Sequence, residues 1–332
     1  MQIRTEERMP LLNAKGGLTR PSYAIFDAFN YDNTRIKNKF GFKEWEFYQI
    51  SNTKFCLQLT YGHTSYAGNV GISLIDFENK SRHDITFTKF FQAKKFDLNF
   101  RPNANHKLSW WDEKFALSIE TTEEYRRIKC ESARETTCDI DLIMSNKGDA
   151  MCIATPMKGD KFYYNYKKNF LTLSGKINVD GIEYELDENI FALLDSGRGV
   201  WPYRHSWYWG SATTNIDGHI VGFNIGWGFG KTANATENML FVDGVCHKLQ
   251  NVSASLDQHD YMKPWTFSSD DGRFEMTFTP FYDNFTETDF VVMHNRCHQV
   301  FGYYNGVAVM NDGTKVNLVN VNGFCEHAVN RW

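Results

Sequence analysis

The stretch KINVDGIEYE, residues 176–185, decides the fold class. Its central pair, Asp180-Gly181, is the strongest short-range signal for a two-residue β-hairpin turn. With that turn, Val179 lies opposite Ile182 on one face of the hairpin and Lys176 lies opposite Glu185 on the other. Apolar residues then pair with each other and a lysine pairs with a glutamate, as stable antiparallel strands require. The stretch therefore predicts an antiparallel hairpin.

The same dipeptide occurs four more times between alternating or apolar runs, at Asp217, Asp243, Asp271 and Asp312. A two-residue turn at Asp312 would place Val309 opposite Val316. Strand-length runs fill the first half of the chain, at Phe55–Thr60, Asp84–Phe90, Lys114–Glu120, Cys138–Ile143 and Phe170–Ser174. No long stretch has a helical period. Many short antiparallel strands predict an all-β fold of barrels or sandwiches, in which the sheets hide their edges.

Composition narrows the function classes. The 332 residues suffice for two domains, and the net charge of -4 provides no basic field for nucleic acid. The N-terminus is charged and no run of 18 apolar residues occurs, so we expect neither a secretory signal nor a transmembrane segment. Seven cysteines without a Cys-x-x-Cys pair suit a reducing compartment, which predicts a cytoplasmic protein of unknown oligomeric state.

The densest chemistry lies in residues 195–210, where charged groups alternate with large aromatic rings. Its candidate catalytic residues are Asp195, Arg198 and His205, and its candidate ligand-binding residues are Trp201, Tyr203, Trp207 and Trp209. Tryptophan and tyrosine supply flat apolar walls, and a carboxylate or guanidinium can orient or protonate a ligand held between them. Two interpretations stay open: a binding or catalytic wall, or a structural ion pair of Asp195 and Arg198 above a tryptophan core.

The run His219–Gly230 has one apolar face and one nearly bare face. Glycines occupy most of the even positions, and Asn224 is the only large polar group among them. A bare face is needed where a strand bends sharply or where another backbone or a ligand approaches closely. Both explanations stay open, and Asn224 is a candidate ligand-binding residue.

The hairpin centred on Asp243 places Leu240 opposite His247 and leaves Glu237 at the open end of the strand. A carboxyl group that aromatic walls desolvate can act as a general acid. An arginine beside a carboxylate would instead favour its charged form, so Glu237, far from Arg198 in sequence, is the better candidate acid than Asp195. His247 is a candidate ligand-binding residue.

Metal ligands and cofactor loops are not predicted. His294 and His298 are four residues apart in a run that reads as a strand, where that spacing separates them too far for one ion. No phosphate-binding loop and no nucleophile elbow occurs. We therefore expect no metal and no cofactor.

Several ordered blocks in the C-terminal half resemble the family known as domain of unknown function 2804. They are Asp195-x-Gly-Arg198-Gly with Trp201-Pro-Tyr203, Trp207-x-Trp209-Gly210, Gly222-x-Asn224-x-Gly226, Thr236-Glu237-Asn238, Asp243-Gly244 with His247-Lys248-Leu249, Asp271-Gly272-Arg273, Gln299-Val-Phe301-Gly302 and Gly323-Phe324-x-Glu326. In the first half only Lys43-Glu44-Trp45 and the Tyr66-x-Gly68 region share the resemblance.

That family is similar in turn to the two-barrel, lipocalin-like proteins that include carotenoid hydratases, tocopherol cyclase, kievitone hydratase and some fungal Diels–Alderases. The resemblance implies two lipocalin-like antiparallel β-barrels side by side. We place them at residues 1–187 and 188–332, with the site in the second. It also implies a hydrophobic small-molecule ligand, of isoprenoid, lipid or polyketide type, and chemistry without a cofactor.

Three function hypotheses follow. The first is a cofactor-independent hydratase, lyase or isomerase that uses acid catalysis in an aromatic pocket. The second is a non-catalytic carrier of the same kind of ligand, and the third is a carbohydrate-binding or glycoside-cleaving protein, because tryptophan platforms and paired carboxylates also serve sugars. Only catalysis needs an acid with a raised pKa beside the ligand.

Overall fold

The computed structural model describes residues 2–290 and 293–331, and β-strands dominate them. Within these ranges the helical elements are two short 3₁₀ helices, Asn33–Arg35 and Ala93–Phe96. None of the described helices has the length and apolar character needed to cross a bilayer. In chain order the strands are β1 (Met9–Pro10), β2 (Ser22–Ala24), β3 (Phe29–Asn30), β4 (Phe42–Ser51), β5 (Phe55–His63), β6 (Ala67–Asp76), β7 (Ser81–Phe90), β8 (His106–Asp112), β9 (Phe115–Thr121), β10 (Tyr125–Ala133), β11 (Thr137–Ser145), β12 (Met151–Pro156), β13 (Phe162–Leu171), β14 (Leu173–Val179), β15 (Ile182–Glu183), β16 (Phe191–Val200), β17 (Arg204–Ile216), β18 (His219–Trp227), β19 (Met239–Val242), β20 (Val245–Lys248), β21 (Val252–Ser255), β22 (Trp265–Ser269), β23 (Phe274–Phe290), β24 (Met293–Val309) and β25 (Lys315–Arg331).

The N-terminal unit, β1 to β16, contains two large antiparallel sheets. One has the strand order β2-β12-β13-β16-β4-β5-β6-β7, and the other has the order β15-β14-β11-β10-β9-β8. Successive side chains of a strand point to opposite faces, so one face of each sheet is free to form a core. Side chains from both sheets meet in one apolar cluster, with Tyr48, Leu57, Leu74, Ile119 and Ile140 among its members.

The C-terminal unit, β17 to β25, is a single antiparallel sheet of order β20-β19-β18-β17-β25-β24-β23-β22-β21. It surrounds its own core, which includes Phe223, Trp265, Phe278, Val300 and Tyr304. The chain therefore forms two all-β units, as the alternating sequence pattern predicts.

Three of the five Asp-Gly pairs form the predicted two-residue turns. Both turn residues have positive φ at Asp180-Gly181 (50° and 79°), at Asp217-Gly218 (52° and 88°) and at Asp243-Gly244 (48° and 78°). This is the type I′ geometry, whose twist matches that of the strands it joins. The predicted pairings of Val179 with Ile182 and of Leu240 with His247 are confirmed.

The turns at the other two pairs are not of type I′, because only the glycine of each pair has a positive φ, 66° at Gly272 and 90° at Gly313. The predicted register is wrong only at Asp312. Val309 pairs with Lys315 rather than with Val316, because Asn311, Asp312 and Gly313 form a three-residue loop in which Gly313 has a φ of 90°. A type I turn followed by a left-handed glycine produces such a loop. At Asp271-Gly272 the pairing of Ser268 with Glu275 keeps the predicted register. The turn itself is different, because Asp271 is not left-handed and the Gly272 N–H donates to the Ser269 carbonyl at 3.0 Å.

The predicted division of the chain at residues 187 and 188 does not coincide with the change of sheet. Strand β16 follows that division, yet it pairs with β13 and β4 of the N-terminal unit. The chain passes to the C-terminal sheet between Val200 and Arg204. The division at 187 stays a prediction, whereas strand pairing assigns residues 191–200 to the N-terminal unit.

The two units pack against each other through two apolar clusters. One contains Met151, Tyr163, Phe170, Met239 and Phe241. The other contains Phe77, Leu193, Trp209, Phe301 and Phe324. Both draw residues from both units, so apolar side chains pack across the interface at two places.

Candidate functional site

A cavity of about 250 Å³ lies between the two units. Strands β4, β5, β13 and β16 of the N-terminal unit supply one wall, and β17, β25 and the segment before β19 supply the other. Aromatic side chains form most of the lining: Trp45, Tyr163, Trp201, Trp207, Trp209 and Phe229. The volume suits a compact apolar molecule or one end of a longer one.

Two glycines of β16 make room for two of these rings. A Cβ atom on Gly197 would lie 1.9 Å from the Trp45 ring, and one on Gly199 would lie 2.6 Å from Trp201 Nε1. Real Cβ atoms do not approach other atoms so closely, so only glycine fits at these positions. The two glycines of the motif that begins at Asp195 thus allow the aromatic rings of the cavity wall to pack against β16.

One end of the cavity carries three carboxyl groups and one ammonium group. Lys167 on β13 lies opposite Asp195 on β16, and its Nζ is 2.8 Å from Glu237 Oε2. Glu326 on β25 lines the cavity with them. The Lys167 ammonium also lies over the Trp209 ring, 4.0 Å from its centroid, which adds a cation–π contact. One positive charge faces three acids, so not all of them can be ionised at low cost.

Glu326 is the carboxyl group best suited to hold a proton. Burial raises its pKa to about 7, against the opposing effect of a hydrogen bond that Trp207 Nε1 donates to Oε1 at 2.7 Å. The nearby Lys167 also lowers this pKa, and the charge of Asp195 raises it. At neutral pH the side chain therefore exists in both the protonated and the ionised form.

Asp195 is held by two donors at the same end. Asn165 Nδ2 donates to its Oδ1 at 2.5 Å, and Trp45 Nε1 donates to its Oδ2 at 3.4 Å. Burial raises its pKa, whereas Lys167 and Asn165 lower it. Asp195 is thus a fixed acceptor beside the cavity.

The comparisons with known proteins fit this architecture. The family profile described as domain of unknown function (DUF2804) matches residues 2–332. The chain belongs to the DUF2804 family. No curated protein sequence matches it significantly.

Two crystal structures resemble this DUF2804 chain. The first, provisionally described as AttH from Nitrosomonas europaea, has 17% identity and a TM-score of 0.52, and the match covers 86% of this chain and 92% of that one. The second, kievitone hydratase from Nectria haematococca, has 9% identity and a TM-score of 0.51, with 100% and 96% covered. At such identities the likeness shows the fold alone. The predicted lipocalin-like all-β fold is confirmed.

Five of the ten predicted site residues of the DUF2804 chain line the cavity: Asp195, Trp201, Trp207, Trp209 and Glu237. The cavity is not enclosed by the C-terminal unit, where the sequence interpretation placed the site. Its wall includes Lys43, Trp45 and Lys167 of the N-terminal unit.

Arg198 does not accompany Asp195. The two side chains are three residues apart on one strand and therefore point to opposite faces. Arg198 is buried inside the N-terminal unit, where its Nη1 donates to Ser196 Oγ at 2.9 Å and to the Trp45 carbonyl at 3.0 Å. The ion-pair alternative does not hold, and Arg198 cannot orient a ligand in the cavity.

His205 and Asn224 lie behind the cavity wall. The His205 ring lies 5.0 Å from Trp201, its Nδ1 donates to the Pro202 carbonyl at 2.8 Å, and burial lowers its pKa to about 4. Asn224 accepts a hydrogen bond from Trp209 Nε1 at 2.7 Å and donates one to the Glu237 carbonyl at 2.7 Å. Both residues position groups that line the cavity.

Tyr203 and His247 lie outside the cavity. Tyr203 is 52% exposed, in a surface groove beside Phe40 and Tyr66. His247 Nδ1 accepts a hydrogen bond from the Asn311 backbone N–H at 3.1 Å, in the C-terminal unit. Neither side chain can contact a ligand in the cavity.

The bare face of β18 accommodates other parts of the chain. A Cβ atom on Gly222 would lie 2.7 Å from the Asn169 carbonyl oxygen, and one on Gly226 would lie 2.3 Å from Glu237 Oε1. The glycines therefore allow the N-terminal unit and the Glu237 carboxylate to approach the strand. Close approach explains the pattern, but the approaching groups belong to the protein.

Lys167 and Glu326 were missed by the sequence interpretation. Glu326 belongs to the block Gly323-Phe324-x-Glu326, which carries the family resemblance and was the available signal. Lys167 lies in β13, in which every residue is buried, and nothing in its local sequence marks it. Its partners Asp195 and Glu237 lie far away in the chain.

Polar residues of β4 and β5 are also among those that line the cavity. There, Glu44 receives a hydrogen bond from Tyr31 Oη at 2.5 Å and contacts His63 Nε2 at 2.9 Å. Lys43 lies on the neighbouring wall, and burial lowers its pKa to about 7.

No cluster of three or more His, Cys, Asp and Glu side chains within residues 2–290 and 293–331 is arranged to hold a metal ion. His294 and His298 contact different aspartates, Asp289 at 3.5 Å and Asp283 at 2.8 Å.

Replacing Gly197 by alanine is expected to lower the free energy of unfolding by about 1–3 kcal/mol, the usual cost of overpacking. The new methyl group would overlap the Trp45 ring and displace it into the cavity. Urea unfolding measures the stability, and tryptophan fluorescence reports the ring. Gly17→Ala is the control, because its Cβ would have no neighbour closer than 3.6 Å. Equal stability of the two variants would contradict the packing argument.

Proposed function

We propose that this protein is a cofactor-independent hydratase, lyase or isomerase that protonates a hydrophobic small molecule in the cavity between the units. One observation carries the proposal: Glu326, an acid with a pKa of about 7, lines a cavity with aromatic walls. A general acid works best when its pKa lies near the working pH, because the protonated form is then both populated and able to donate.

The residues at the acidic end have distinct roles in the proposed reaction. The Glu326 carboxyl group donates its proton to one carbon of a double bond, and the positive charge that develops on the neighbouring carbon is stabilised by aromatic faces and by Asp195. Lys167 balances the charge of Glu237 through their 2.8 Å contact. Glu326 recovers a proton either from the carbon skeleton, which completes an isomerisation, or from an adding water, which completes a hydration.

The fold supports the same class of reaction. Kievitone hydratase is a hydratase by name, and this chain shares its architecture over its whole length. Fold does not determine function, so the fold supports the proposal only together with the site.

Deuterium transfer to carbon tests the proposal. Protein purified from its own host is analysed by native mass spectrometry, and any bound small molecule is extracted and incubated with fresh protein in D₂O. We expect the molecule to gain carbon-bound deuterium, because Glu326 exchanges its proton with solvent and delivers it to carbon. An apolar molecule that binds without gaining deuterium would identify a carrier. An extracted sugar would favour the carbohydrate hypothesis, and either result would contradict acid catalysis on an apolar ligand.

A further inference from the structure

Exposed aromatic side chains surround the turn between β5 and β6. Phe40 is 86% exposed, Phe91 is 92% exposed and Phe90 is 55% exposed. The turn holds two of them, because Ser65 Oγ donates to the Phe40 carbonyl at 2.9 Å and the Phe91 N–H donates to the Tyr66 carbonyl at 2.6 Å. We call Phe40, Tyr66, Phe90, Phe91 and Tyr203 the aromatic rim. A cluster of large exposed apolar side chains usually marks an interaction surface.

The aromatic rim adjoins the cavity. Phe40, Tyr66 and Tyr203 line a surface groove of about 410 Å³ together with Trp201, and Trp201 also lines the cavity. The cavity-lining residues His63 and Thr64 come immediately before the same turn. A ligand that enters past the rim would meet the aromatic wall next.

Basic residues flank the rim, although the chain as a whole has a net charge of -4. Residues 33–43 contain four basic side chains and no acidic one, and residues 85–96 contain three and no acidic one. Five of the seven are exposed: Arg35, which pairs with Asp32, and Lys37, Lys39, Lys94 and Lys95. Exposed lysines beside aromatic tips match the surface of a bilayer that contains anionic lipids.

The backbone of Phe91 is strained in the same region. Its φ is 59°, in the left-handed region that bulky residues rarely adopt. Burial does not explain the strain, because the side chain is almost fully exposed. Such strain persists at functional positions, and here it fixes an apolar ring that faces solvent.

We propose that the aromatic rim docks on a membrane surface that carries anionic lipids, with Phe40 and Phe91 entering the headgroup region. A hydrophobic ligand then passes from the bilayer along the groove into the cavity. The inference rests on the proposed function only in that the cavity takes an apolar ligand. The membrane is the source of that ligand.

Vesicle co-sedimentation tests the docking with vesicles of phosphatidylcholine alone and of phosphatidylcholine mixed with phosphatidylserine. We expect the full chain to bind the mixed vesicles more tightly, and added salt to weaken the binding. The variant Phe40→Ser/Phe91→Ser should lose at least about tenfold in affinity for them, because two apolar side chains no longer leave water. Lys94→Glu/Lys95→Glu should lose the preference for phosphatidylserine.

Val319→Ser is the matched control, since Val319 is 73% exposed in the C-terminal unit. It should bind like the unchanged protein, and so should Glu326→Gln, so that a failure of catalysis is distinguishable from a failure of docking. The proposal is overturned if the unchanged protein binds neither kind of vesicle. It is also overturned if the Phe40→Ser/Phe91→Ser variant binds the mixed vesicles with the same affinity as Val319→Ser. It is also overturned if the rim substitutions dissociate a dimer while vesicle binding is absent, because the rim would then join two copies of the chain.

Discussion

Replacing Glu326 by glutamine is expected to slow proton transfer to carbon by about a hundredfold to ten-thousandfold, the range that a general acid contributes. Glutamine has nearly the same shape, and its carbonyl oxygen can still accept the hydrogen bond that Trp207 Nε1 donates at 2.7 Å. It cannot donate an acidic proton. The rate of deuterium incorporation into the extracted ligand is the measurement. Glu275→Gln, at an exposed position of β23, is the matched control and should keep the full rate.

The rate should also depend on pH in one direction. The protonated form of Glu326 is the reactive one, so the rate should fall as the pH rises through its pKa of about 7.

The free energy of unfolding should also fall as the pH rises. The pKa of Glu326 in the folded state lies above its ordinary value of 4.5, so the bound proton contributes fully to stability below pH 4.5. That contribution is lost as the pH rises through about 7. Glu326→Gln should remove this part of the pH dependence of Tm. A glutamine variant with an unchanged rate would exclude Glu326 as the acid.

Replacing Lys167 by methionine is expected to lower the free energy of unfolding by about 3–5 kcal/mol, the usual cost of breaking a buried ion pair on one side. The Lys167 side chain is 2% exposed and pairs with Glu237 at 2.8 Å, and Asp195 lies directly across the strand pair. Methionine keeps the apolar length beside Trp209 but leaves the carboxylates without their cation. Urea unfolding measures the change.

The double variant Lys167→Met/Glu237→Gln should recover much of this loss, because it removes the unpaired charge together with its partner. Lys176→Met is the matched control. Lys176 pairs with Asp139 at the surface, where an ion pair contributes little, so its loss should hardly change the stability. A Lys167→Met variant as stable as the Lys176→Met control would show that the acids at this end of the cavity are not ionised.

The hairpin signals predicted the fold because turn residues, alternation and cross-strand pairing act locally. Asp180, Asp217 and Asp243 form the expected turns. The turns at Asp271 and Asp312 differ because an Asp-Gly pair is also compatible with turns in which only the glycine is left-handed. The sequence does not distinguish these cases without the register of the strands.

The candidate site was predictable only where its residues cluster in sequence. Asp195 and three of the four cavity tryptophans lie within residues 195–210, and Glu237 follows on a nearby segment. The alternation of side chains along a strand would have excluded Arg198 from the site of Asp195, since residues three apart on a strand point to opposite faces. Lys167 reaches the site through the pairing of β13 with β16, and Glu326 reaches it through the pairing of β25 with β17, where it lies opposite Trp209. Local sequence does not mark Lys167, whereas Glu326 lies in the block Gly323-Phe324-x-Glu326 that carries the family resemblance.

Infrared spectroscopy of the carboxyl stretch tests the central claim most directly, because it observes the proton on Glu326 without a substrate. We expect the unchanged protein to show a protonated-carboxyl band at neutral pH that titrates with a pKa of about 7. The band should titrate at a lower pH in Asp195→Asn, because the charge of Asp195 no longer raises the pKa of Glu326, and it should be absent from Glu326→Gln. Identical spectra of the unchanged protein and Glu326→Gln at neutral pH, with Glu326 ionising near the ordinary value of 4.5, would contradict acid catalysis in this cavity.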